Sequence, residues 1–103
     1  MTPDTRLPET DDLTRLRRGI DAVNLELLRL LERRGELVLE IARLKQRRRI
    51  TLLDTGRELD MLENIAAQSR GLFDRNEITA VFRGIFAASR SLAQRLIPRS
   101  PVS

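Results

Sequence analysis

The sequence contains no cysteine, no histidine, no tryptophan and no tyrosine. Without cysteine there are no disulfides and no thiol nucleophile. Without histidine, imidazole acid–base chemistry and the usual transition-metal ligand sets are excluded. An enzyme built from this chain therefore needs neither a strong nucleophile nor a metal. The aromatic residues are three phenylalanines, too few for a platform on which nucleic-acid bases stack. No apolar run is long enough to span a membrane, and the first residues lack the basic, apolar and small-residue order of a signal peptide. A cytoplasmic location, with no membrane partner, is the resulting expectation. There are 19 Lys and Arg against 15 Asp and Glu, a net charge of +4. The basic residues are interleaved with acids except at Lys45 and Arg47 to Arg49, so nucleic acid is not the expected partner.

What is present is helix. Leu13 to Arg49 contains no proline, and only Gly19 and Gly35 lower its helix propensity. Apolar residues fall at Leu13, Leu16, Ile20, Val23, Leu27, Leu30, Leu37, Ile41 and Leu44. That alternation of three and four predicts one sustained helical face. At about 1.5 Å per residue the helix runs roughly 55 Å, whereas a domain of this length has a radius of gyration near about 13 Å. The remainder of the chain cannot cover such a face. A partner is expected, most simply a second copy.

The stripe has one interruption, Arg34. An arginine at a seam position is costly unless an anion meets it. An intramolecular ion pair or a register-setting polar residue is the plainer reading. Lys45 and Arg17 add a second one. Lys45, three turns on, points within about 20° of Arg34. Arg17 points about 100° away by the same rule. Arg34 and Lys45 can share a site, while Arg17 must serve another, such as a partner's.

Residues 1–12 hold two prolines and several acids without periodicity, and are expected to form a tail, with Asp11 or Asp12 capping the long helix. Arg47, Arg48 and Arg49 read most simply as basic residues at a helix C-terminus. After a short connection, 50–54, Thr55 and Glu58 form a capping-box pattern that starts a second helix. Leu59, Met61, Leu62, Ile65 and Ala66 form its apolar side, and Gly71 is suited to end it in a left-handed conformation. Asp74 with Glu77 forms another capping box, and Phe73 with Ile78 a hydrophobic staple. The third helix then runs Ile78, Phe82, Ile85, Ser89, Leu92, Leu96 at the same spacing, widened by Val81 and Phe86. Ser89 is its one polar intruder, and its plainer reading is a bond back to a carbonyl one turn earlier. Pro98 stops the helix, leaving a tail over 98–103. The expected fold is all-α, with one very long, one short and one medium helix spanning 13–97.

The helical portion resembles the all-helical chorismate mutases. The resemblance rests on Leu16-Arg17-Arg18-Gly19-Ile20-Asp21, Leu31-Glu32-Arg33-Arg34, Ile41-Ala42-Arg43-Leu44-Lys45, Asp54-Thr55-Gly56-Arg57-Glu58 and Ile78-Thr79-Ala80-Val81-Phe82 through Ser89. It implies an intertwined, domain-swapped homodimeric bundle in which two long helices pair. It implies a Claisen rearrangement of chorismate to prephenate, in aromatic amino-acid biosynthesis, with no cofactor and no metal. By the same resemblance Arg34 and Arg57, with Arg17 from the other chain, hold the substrate's carboxylates. Lys45 stands at the ether oxygen, Asp54 and Glu58 bind the ring hydroxyl, and Ser89 assists a carboxylate. Arg34, Lys45 and Glu58 are the expected catalytic residues.

One position departs from the family pattern. Four residues after the serine the family places Gln or Glu, which assists at the ether oxygen. Here that position is Ala93, and Gln94 follows, about 100° round the helix. A π-bulge between Ser89 and Gln94 would restore the alignment. A 4-amino-4-deoxychorismate mutase keeps the same fold and chemistry, with the substrate amine near Glu58 and Asp54. An isochorismate–pyruvate lyase is a third possibility in the same fold. A non-catalytic helical dimer is the reading from a different class, and it predicts no saturable binding of a small molecule.

Overall fold

The computed structural model of the chain describes residues 3–49 and 55–97, with side chains for 11–49 and 56–97. Three helices account for nearly all of them: α1 Pro3–Arg47, α2 Thr55–Gln68 and α3 Arg75–Leu96. No strand occurs among the described residues, and none of their helices is long and apolar enough to cross a membrane.

The long helix starts earlier than the pattern predicts. α1 begins at Pro3, so Asp11 and Asp12 lie inside it and not at its cap. Pro3 occupies the first helical position, where a missing N–H costs nothing. The far end comes two residues before Arg49. The Arg48 N–H donates to the Leu44 carbonyl at 3.0 Å and the Arg49 N–H to the Gln46 carbonyl at 3.2 Å. Arg49 takes a left-handed φ of 56°, the conformation that commonly follows a helix end. Lys45 and Arg47 in the last turn face the negative end of the helix dipole.

Two compact units are present, Met1–Arg33 and Arg34–Ser103, with the boundary inside α1. In the first unit Leu13, Leu16, Ile20, Val23, Leu27 and Leu30 stay 46–60% exposed. The apolar stripe that made this stretch legible as a helix is thus left uncovered.

The second unit holds the core. Ala42, Ala93 and Ile97 are buried together, with Val38 and Leu39 packed against them. Among the described residues, Leu62 and Phe86 are the other buried apolar side chains. Small residues permit close packing here. A Cβ added to Gly35 would stand 3.0 Å from Leu92 Cδ2, tight enough that the leucine would have to move.

Local signals set the boundaries within this unit. α2 ends at Gln68, and the Ser69 N–H still reaches the Ala66 carbonyl at 3.2 Å. Gly71 follows with φ 89°, which a side chain would resist, and its N–H donates to Ser69 Oγ at 3.2 Å. Asp74 then caps α3: its carboxylate accepts from the Glu77 N–H at 2.8 Å, while Glu77 accepts from the Asp74 N–H at 2.8 Å. The expected staple contributes little, because Phe73 is 58% exposed. Ile97 ends α3 with φ −120° and ψ 85°, outside the helical region that a following proline disfavours. The expected connection at 50–54 and tail at 98–103 lie outside the described residues.

The capping box gives the first test. Asp74→Ala removes the side-chain acceptor of the Glu77 N–H and is expected to cost about 1 kcal/mol. A urea titration followed by circular dichroism should show a lower midpoint with an unchanged slope.

Candidate active site

Arg34 and Ser89, the two polar residues that interrupt the two apolar seams, are bonded to each other. Arg34 Nη1 donates to Ser89 Oγ at 2.5 Å. The serine hydroxyl donates in turn to the Ile85 carbonyl at 2.9 Å, the back-bond expected of it. The hydroxyl thus spends its one proton on Ile85 and one of its two lone pairs on Arg34. The other Arg34 nitrogen, Nη2, lies 4.0 Å from Met61 Sδ. Its guanidinium carbon stands 5.2 Å from the centroid of the Phe86 ring, within reach of a cation–π attraction. Phe82 tilts against Phe86 at 6.3 Å and 54°.

Arg34 is therefore a half-buried cation in apolar surroundings with a single hydroxyl as its close polar partner. Burial lowers its pKa from the ordinary arginine value, the positive charge of Arg57 lowers it further, and the negative charge of Glu58 opposes both. A guanidinium remains charged under such a shift. The result is a desolvated cation with donors to spare.

Glu58 and Arg57 thus belong to the same electrostatic neighbourhood as Arg34. Thr55 is the first residue of α2 rather than its cap, and the Glu58 Oε2 atom accepts from Arg90 Nη1. The side chains of this pair are 25% and 40% exposed. Arg57 is exposed on the same turn of α2. Lys45, three turns beyond Arg34 on α1, is half-buried and makes no hydrogen bond or ion pair among the described residues. Arg17 lies in the first unit and is exposed. Asp54 lies outside the described residues.

Position 93 is settled by packing. Ala93 is buried beside Ala42 and Ile97, and it contributes no polar atom. α3 is regular α-helix from Arg75 to Leu96, without a π-bulge, and Gln94 is exposed. The glutamine is not realigned to replace its neighbour.

Met61 and Phe86 were legible only as residues of two apolar faces, and Arg90 was not singled out at all. Phe86 and Arg90 are one turn apart on α3, so they share a face. The spacing was readable, but nothing local paired Arg90 with a carboxylate 32 residues away.

On this all-helical scaffold a half-buried guanidinium with unused donors stands beside Ser89, Phe86 and the Glu58–Arg90 pair, an arrangement suited to holding an anion. Comparison with known proteins gives the scaffold its family. Residues 16–94 match the family described as chorismate mutase type II, and the chain belongs to that family. Two solved structures of a chorismate mutase from Thermus thermophilus are similar. Form II has a TM-score of 0.80 and 40% identity, covering 82% of this chain and 97% of that one. Form I has a TM-score of 0.74 and 41% identity, covering 76% and 98%. A bifunctional chorismate mutase/prephenate dehydratase of Aquifex aeolicus is 28% identical over 90 residues, which are 84% of this chain. The chain spans only about a quarter of that protein's length.

The Arg34–Ser89 bond has a measurable consequence. Ser89→Ala removes the partner of a half-buried guanidinium. Because water can reach this group in part, the expected loss is about 1 kcal/mol of stability. Urea denaturation should register that loss with helical content unchanged in the absence of denaturant.

Proposed function

We propose that the protein is a chorismate mutase, converting chorismate to prephenate by an intramolecular Claisen rearrangement. The observation that carries this reading is Arg34: a desolvated guanidinium with unused donors, set beside Ser89 and Phe86 in a chain of the chorismate mutase type II family.

The reaction breaks a C–O bond and makes a C–C bond within one molecule, so no group is transferred to the protein. Its barrier falls if the protein holds the substrate in a reactive conformation and stabilises charge that grows at the ether oxygen. Arg34 and Arg57, with Arg17, hold the two carboxylates; a planar guanidinium meets a carboxylate with two parallel hydrogen bonds. Lys45 places its ammonium at the ether oxygen. Charge there interacts more strongly with the transition state than with the ground state, and only that difference accelerates the reaction. Glu58 accepts from the ring hydroxyl, with the Asp54 region beside it, and Ser89 assists a carboxylate by holding Arg34. With Ala93 buried, no side chain at that position joins Lys45 at the oxygen. Loss of one comparable donor costs roughly 2.7–4 kcal/mol of transition-state stabilisation, so a modest rate is expected.

The active form we infer is an intertwined homodimer in which Arg17 enters the partner's site. The uncovered stripe supports this reading. Burying those half-exposed side chains in a paired helix would contribute on the order of 1 kcal/mol each.

Purified protein is expected to consume chorismate, followed by its ultraviolet absorbance, with prephenate as the product. Arg34→Ala should lower kcat/KM by roughly 10²-fold or more, as loss of one partner from a buried charge pair does, while leaving the oligomer intact. A variant at full rate would sink the assignment of Arg34.

A second experiment addresses the shared site. Arg17→Ala and Arg34→Ala proteins, each inactive alone, are expected to regain activity when mixed, because one site of each mixed dimer has both wild-type arginines. Absence of recovery despite demonstrated subunit exchange would refute a site built from two chains.

A further inference from the structure

Arg90 occupies a position with consequences for substrate choice. On the reading that Glu58 faces the ring substituent of the substrate, that carboxylate meets whatever group the ring carries at that position. A hydroxyl and a protonated amine make different demands. A hydroxyl needs an acceptor atom only. An ammonium needs an uncompensated negative charge, because it brings its own positive one into a partly desolvated site.

Glu58 is already compensated. Its Oε2 atom accepts from Arg90 Nη1, and the pair is partly shielded, with the carboxylate 25% exposed. A carboxylate has about four lone-pair sites on two oxygens, so Oε1 still accepts from a neutral donor. What Arg90 removes is the net negative charge, not the hydrogen-bonding capacity. The Glu58 carboxylate also acts on Arg34, a second cation of this neighbourhood.

We propose that Arg90 is a specificity-determining residue: by ion-pairing Glu58 it makes the site accept a ring hydroxyl and reject a ring ammonium. The substrate class is therefore the 4-hydroxy compound, chorismate, rather than its 4-amino analogue. Arg90 acts through Glu58 and is a positioning residue, one helix turn beyond the buried Phe86. Its neighbour Ser89 serves Arg34, so adjacent residues of α3 fix the two opposite charges of the site.

The test compares kcat/KM for chorismate and for 4-amino-4-deoxychorismate. The wild-type protein is expected to prefer chorismate. Arg90→Met keeps the stem and removes the charge, and should shift the ratio toward the amino substrate by up to about fivefold, the discrimination one partly exposed ion pair supplies. Arg90→Gln is a second variant with the same expectation. Arg90→Lys should restore the wild-type ratio, and adding Glu58→Gln to Arg90→Met should abolish the shift, because the gain runs through that carboxylate. An unchanged ratio in Arg90→Met and Arg90→Gln, with chorismate still turned over, would overturn the role of Arg90 and leave the mutase reading standing. Turnover of neither substrate by the wild-type protein would overturn that reading instead, and the role of Arg90 with it.

Discussion

A cation placed among apolar side chains must be met by something, and the second unit is arranged to meet Arg34 only halfway. Ser89 takes one nitrogen, the Phe86 ring offers its face, and Met61 lies at the edge. None of these is a charge. A direct carboxylate partner would satisfy the guanidinium fully and leave nothing for an anionic ligand. A neutral hydroxyl holds the side chain in place at low cost and keeps its electrostatic attraction for an anion. The acid of this neighbourhood, Glu58, is instead committed to Arg90. Separate tethering of the two charges prevents them from collapsing onto each other.

The same division explains the composition of α3. Ser89 and Arg90 are adjacent, hence about 100° apart on the helix, and each serves a different charge. Phe86 lies between the two functions: it is buried in the core and also presents its face to Arg34. One turn further, Ala93 joins Ala42 and Ile97 in the packing. That position has been given to the core, and under the proposed mechanism it offers no donor to the ether oxygen.

How far the residues announced this arrangement differs from place to place. Asp74 with Glu77, and Gly71 before them, signalled the turn into α3 through interactions spanning two or three residues. Such signals need no knowledge of the fold. Arg34 and Ser89 were visible as interruptions of two periodic faces, since a periodic pattern makes its exceptions conspicuous. The start of α1 was not visible: Pro3 and the acids after it resemble a tail, yet both are well suited to a helix's first turns. The Glu58–Arg90 pair was hidden for another reason. With 19 basic and 15 acidic side chains, pairings across 32 residues are too many to rank without coordinates, and the capping-box spacing of Glu58 offered a nearer, different explanation.

The turn between α2 and α3 has a kinetic consequence. Arg75 and Glu63 pair across it, 12 residues apart, and Gly71 and the Asp74 cap shape the chain between them. Closing so short a loop takes on the order of 10–100 ns, and the entropy it costs is small. The hairpin of α2 and α3 can therefore assemble at a rate independent of protein concentration. The stripe on the first part of α1 has no comparable neighbour in sequence, and under the dimer reading its coverage waits on a second molecule. Dilution should then separate the two events in time, with early helix-hairpin formation unaffected and the later association step slowed.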